Sequence, residues 1–130
     1  MRLLIALSLF LLLVVLACEP SETATQQDSP KDAAQGFLEA LQAENFDLVE
    51  RYISESSKES LQNFRTNLNM IGEEEKKELL AAYKVPVEQI NCTEQQGKTS
   101  CNLRYQPEGE GTLNLVQQDN KWFVQIEFDY

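Results

Sequence analysis

Three cysteines and no histidine set the limits on what this chain can do with its side chains. Without His there is no His-based triad, no His metal site and no imidazole proton shuttle. Cys18 stands alone, directly after a long apolar run, whereas Cys92 and Cys101 lie close together in residues that alternate polar and apolar. That separation predicts two chemistries: modification of Cys18 and a disulfide between Cys92 and Cys101. An exported chain meets an oxidising compartment, where such a pair is oxidised by default. Oxidised thiols leave no thiolate zinc site.

Carboxylates are plentiful, but a carboxylate that abstracts protons must be buried against apolar walls to raise its pKa. Glu88, Glu110, Glu127 and Asp129, the acids nearest the predicted strands, fall on solvent faces or at strand ends. Asp47 and Glu50 read as surface charges of a short helix. The run Glu73 to Glu78 reads as a solvated helix face, because adjacent carboxylates point in different directions around a helix. A non-catalytic role without a cofactor is therefore expected. A net charge of −10 argues against nucleic acid and against direct adhesion to anionic lipid.

The N-terminus gives an address. Met1-Arg2 is followed by Leu3 to Leu16, apolar except for Ser8. The run is too short to span a bilayer, which takes about 20 residues, and it matches the apolar core of a signal peptide. It closes Val15-Leu16-Ala17-Cys18, which resembles the lipobox of bacterial lipoproteins, although Leu16 is bulkier than the usual occupant. The resemblance implies diacylglycerol on the Cys18 thiol, cleavage before Cys18 and acylation of the new amino group. The partner so implied is the membrane itself. At roughly 0.8 kcal/mol per buried CH₂, two or more chains anchor stably where one does not. Residues 1–17 are then the signal peptide. The lipidated cysteine and a polar, Pro-bearing tether occupy residues 18–29, and one domain fills residues 30–130. The resemblance also implies a sorting rule. Glu19 is not the Asp that favours inner-membrane retention, so the outer membrane of the bacterial cell envelope is favoured if the source is Gram-negative.

The elements that position these residues change period along the chain. Ser29-Pro30-Lys31-Asp32 is a helix start, with Ser29 as cap and Pro30 in the first turn. Ala34, Phe37, Leu38 and Leu41 form its apolar stripe. Glu44-Asn45 breaks the pattern, and Phe46, Val49, Tyr52 and Ile53 continue on a second short helix. Leu61, Phe64, Leu68 and Ile71 mark a third, with Gly72 as its expected stop. Glu73 to Tyr83 is a further helical piece.

After Pro86 the period becomes 2. Val87 to Cys92, Cys101 to Tyr105, Thr112 to Gln117 and Trp122 to Phe128 read as four strands. A two-residue turn at Gln96-Gly97 pairs Cys92 with Cys101 at a non-hydrogen-bonded position, where a disulfide is feasible. A type I turn with a Gly97 bulge would shift that register by one. Asp119-Asn120 pairs Leu115 with Val124 and Leu113 with Ile126, and Pro107-Glu108-Gly109 makes the middle turn. Short connections give an antiparallel meander. Three to four helices packed on one face of a curved four-stranded sheet make an α+β domain.

Residues 30–41 (Pro-Lys-Asp-Ala-Ala-x-x-Phe-Leu-x-Ala-Leu) and 119–124 (Asp-Asn-Lys-Trp-Phe-Val) resemble the small lipoproteins of the nuclear transport factor 2-like superfamily. The resemblance implies a cone-shaped, cystatin-like fold with a pocket at its open end. Phe37, Tyr52, Phe64, Tyr83, Tyr105 and Trp122 are the candidate lining, an apolar ligand pocket with Tyr hydroxyls as orienting donors. Superfamily enzymes place an Asp, or an Asp/His pair, with Tyr in that pocket. The fold itself fixes no function. A small apolar ligand or a scaffold role in the envelope is the first expectation, a protein-interaction module the second, and a His-free enzyme with a buried carboxylate the third.

Overall fold

The computed structural model describes residues 25–129. Cys18, the expected lipid site, and the signal segment before it lie outside these residues.

Helix α1 (Pro30–Gln42) starts as the sequence predicts. The Ser29 Oγ accepts from the Asp32 N–H at 3.1 Å, and Pro30 stands where no N–H is needed. Ala33, Ala34, Phe37, Ala40 and Leu41 form the buried stripe. Glu44, at φ 54°, turns the chain, and Asn45 caps α2 (Phe46–Tyr52) through its Oδ1. Helix α3 (Glu55–Met70) buries Ser57, Leu61, Phe64 and Leu68. Gly72 is not the left-handed stop that was expected. Ile71 ends α3 in an extended conformation, and Gly72, at φ −70°, caps α4 (Glu73–Tyr83) by accepting from the Lys76 N–H at 2.9 Å. The turn is made by extended backbone, so no positive φ is needed.

The strands β1 (Val87–Gln95), β2 (Lys98–Tyr105), β3 (Glu110–Gln118) and β4 (Lys121–Gln125) form one antiparallel meander in chain order. Gln96 and Gly97 have φ 53° and 75°, and Asp119 and Asn120 have φ 52° and 62°. Two left-handed central residues match the strand twist and fix each register. Cys92 pairs with Cys101 and Leu115 with Val124, as expected. The disulfide joins Cys92 to Cys101, whose Cα atoms are 3.9 Å apart. In the middle connection the Tyr105 N–H donates to the Gly109 carbonyl at 2.9 Å.

One strand is shorter than the alternation predicts. β4 ends at Gln125, and the expected Leu113–Ile126 pair does not form. Two hydroxyls of α3 take over instead: Ile126 N–H donates to the Ser57 Oγ at 2.9 Å and Phe128 N–H to the Ser60 Oγ at 2.6 Å. Phe128 still reaches the core.

The core lies between the helices and one face of the sheet. Cys101, Leu103, Leu113, Leu115 and Val124 come from the strands, and Phe37, Val49, Ile53, Leu61 and Phe64 from the helical half. Each large apolar side chain so buried stabilises by roughly 1.5–3 kcal/mol. The architecture is α+β, with the helices N-terminal to the sheet.

Gln27 falls inside the stretch expected to be tether, yet it is buried. Its Nε2 donates to the carbonyls of Trp122 at 2.8 Å and Arg51 at 3.2 Å, and its own carbonyl accepts from the Trp122 N–H. Ordered chain therefore begins before Pro30.

Candidate functional site

None of the described surface depressions is lined by any of the six aromatic residues expected to line a pocket. Phe37 and Phe64 are packed through, at 1% and 0% exposure. Phe64 meets Phe46, Tyr83 and Phe128 with ring centroids 6.1, 5.3 and 5.5 Å away. These are the offset and edge contacts that aromatic rings prefer. Tyr52 is buried against Gly36 of α1. Tyr105 is half-buried and covers Gly111 of β3, and Trp122 is half-buried on β4 beside Gln27.

The Tyr83 hydroxyl donates to the Asp129 carbonyl at 3.0 Å. Burial pushes its pKa up. The nearby Asp129 charge adds to that shift. Glu88, Glu110, Glu127 and Asp129 are all exposed, and no acid is buried among the described residues. Asp47 is exposed and pairs with Arg65 at 3.3 Å. Among the described residues no group of three or more His, Cys, Asp or Glu is placed to hold a metal ion, and no helix is long and apolar enough to cross a membrane.

The feature that stands out is the unequal treatment of the two sheet edges. In a meander, residues at non-hydrogen-bonded pairs turn their N–H and C=O groups away from the neighbouring strand. On β4 that edge is sealed. Gln27 takes both groups of Trp122, the Ser54 N–H donates to the Val124 carbonyl at 2.9 Å, and Ser57 takes the Ile126 N–H. Ile53 forms a parallel bridge with Val124.

On β1 the Gln95–Lys98 closing pair puts Ile90, Cys92 and Glu94 in the outward position. No described residue hydrogen-bonds to the outward groups of these three. Such an edge is a template for another strand.

Surface depressions flank the same strand on both faces. On the helix side, α1 and β1 enclose a groove of about 420 Å³. Leu38, Val87 and Ile90 supply its apolar surface, with Glu39, Glu88 and Lys31 as its charged residues. On the outer face a depression of about 360 Å³ is lined by Gln89, Asn91, Asn102, Arg104, Glu110 and Thr112. Gln89 and Asn91 border both. A β-bulge between Val87 and Gln89 bends the strand beside them. The sequence shows β1 as a strand but not as an open edge, because Gln27, Ser54 and Ser57 seal the opposite edge from far away in the chain.

Comparison with known families, curated proteins and solved structures found no match to this chain.

Proposed function

We propose that this chain is a bacterial envelope lipoprotein, held by diacylglycerol on Cys18, whose domain binds a partner protein through the open edge of β1. The observation that carries the reading is the edge asymmetry: one side of the sheet is closed by specific contacts and the other is left bare between two depressions. The small-ligand alternative loses support because Phe37 and Phe64 fill the space it required. The buried-carboxylate alternative has no acid in the core among the described residues to act through. The order of helices followed by a meander supports the resemblance to the nuclear transport factor 2-like superfamily, and Glu19 supports outer-membrane sorting in a Gram-negative source.

Two measurements test this. Fatty-acid labelling of the full chain should mark the wild type and not Cys18→Ala, which should leave the membrane fraction. Continued labelling of that variant removes the anchor. A photocrosslinking amino acid in place of Asn91, on β1, should trap a protein partner in intact cells. The same probe in place of Gln125, on β4, should not. Crosslinks from Gln125 alone would remove the β1 site.

A further inference from the structure

We infer that the segment received by β1 is extended and basic, with Lys or Arg at every second position, and adds to the sheet as a fifth strand. This deepens the preceding reading and rests on it. An added strand would satisfy the outward groups of Ile90, Cys92 and Glu94 and would send alternate side chains to the two faces. On the helix face they meet the groove between α1 and β1. Its apolar surface at Leu38, Val87 and Ile90 suits the methylene stem of a lysine or arginine, while the carboxylates of Glu39 and Glu88 suit the charged head. Lys31 is the one opposing charge in that groove. Glu94 adds a third carboxylate further along the strand, and the whole chain carries −10. On the outer face the alternate side chains meet the amides of Gln89 and Asn91, which favour a polar neutral residue.

The same charge disfavours a second copy of this chain. Pairing β1 with itself would bring four strand carboxylates, Glu88 and Glu94 from each copy, into one seam between two acidic bodies. The residues before Thr25 are a poor occupant as well. Residues 18–24 carry Glu19 and Glu22 and no Lys or Arg, so they lack the basic side chains that the groove suits.

The test uses the full chain in detergent and a nine-residue acetylated peptide alternating Lys and Thr. Binding should slow amide exchange at Ile90 and Cys92, the outward N–H groups. Affinity should fall at least about tenfold for the Glu/Thr peptide, for the Lys/Thr peptide N-methylated at every amide, and in Glu39→Lys/Glu88→Lys. Three results overturn the inference: no binding, equal affinity for the Glu/Thr peptide, or binding without protection at Ile90 and Cys92. A concentration-dependent dimer of the free chain that already protects those two amides would give the edge to a second copy and overturn it too. Crosslinks from position 91 that persist when the peptide fails leave the partner reading standing and remove only the basic segment. Peptide binding without crosslinks in cells does the reverse.

Discussion

Gly36 of α1 packs against the hydroxyl end of the Tyr52 ring in α2, so closely that a Cβ on Gly36 would overlap its ring carbons and hydroxyl. The contact sets how near the two helices approach, and Tyr52 is 8% exposed, so its ring has little room to withdraw. Two effects compete in Gly36→Ala. Alanine in an open helix interior stabilises by roughly 0.5–1 kcal/mol over glycine. Overpacking a filled site costs typically about 1–3 kcal/mol. The second should win, and urea unfolding should show a net loss with an unchanged slope. Gly111→Ala is the control. Its Cβ meets the end of the Tyr105 side chain, which is half-exposed and can swing away, so the loss should be smaller. Equal losses at both glycines would mean that Tyr52 is free to move.

The disulfide closes a short hairpin. Chain-entropy reasoning gives about 2–3 kcal/mol for a loop of this length. Mass mapping without reductant should recover a Cys92–Cys101 peptide, and reduction should lower the unfolding midpoint by a corresponding amount. Free thiols at both positions in the native chain would contradict the pairing. Cys101 is wholly buried while Cys92 is half-exposed, so a reductant should attack the Cys92 sulfur.

The register of that hairpin was legible down to two alternatives, and the left-handed backbone at both Gln96 and Gly97 selects the two-residue turn that brings Cys92 opposite Cys101. The same local logic placed Leu115 against Val124 and Ser29 at the start of α1. It failed where distant groups decide. Trp122, Val124, Ile126 and Phe128 alternate as a strand should, yet the ladder stops because Ser57 and Ser60 capture the next amides. Gly72 looks like a helix stop, but extended backbone at Ile71 makes the turn. Gln27 sits in a polar, Pro-bearing stretch whose composition hides its docking on β4. Aromatic identity gave no way to tell a pocket wall from core: Phe37 and Phe64 became core, while the candidate site arose at residues with no distinctive chemistry, Ile90 and Asn91. An open edge is defined by what fails to cover it, and no local pattern records that.

The two serines of α3 should not be equivalent. Ser57 is 2% exposed, and its hydroxyl also lies 3.0 Å from that of Ser54. Ser57→Ala removes the acceptor of the Ile126 N–H at a site where the serine itself is sealed from solvent, which costs about 1–3 kcal/mol. Ser60 is half-exposed, so water can replace it at Phe128, and Ser60→Ala should cost less, about 0.5–1 kcal/mol. Amide exchange at Ile126 should accelerate in the first variant and stay near wild type in the second. Acceleration at both amides in either variant would mean that the segment opens as one unit.

Tyr83 makes stability fall in alkali. Its hydroxyl donates to the Asp129 carbonyl, and burial holds its folded pKa above the ordinary value of 10.0. The unfolded chain therefore loses this proton first as pH rises. Between the unfolded and folded values the native state binds more protons, so unfolding free energy declines with pH. The contribution is fully present below pH 10 and is lost as pH climbs through the folded value. Tyr83→Phe should remove this part of the slope while keeping the ring against Phe64 and Phe128. At neutral pH it should cost no more than about 1 kcal/mol, the worth of one exposed hydrogen bond. Urea midpoints of the two chains, measured from pH 8 upward, should converge as alkali removes the advantage of the hydroxyl. Midpoints that stay parallel would show that Tyr83 keeps the same pKa folded and unfolded.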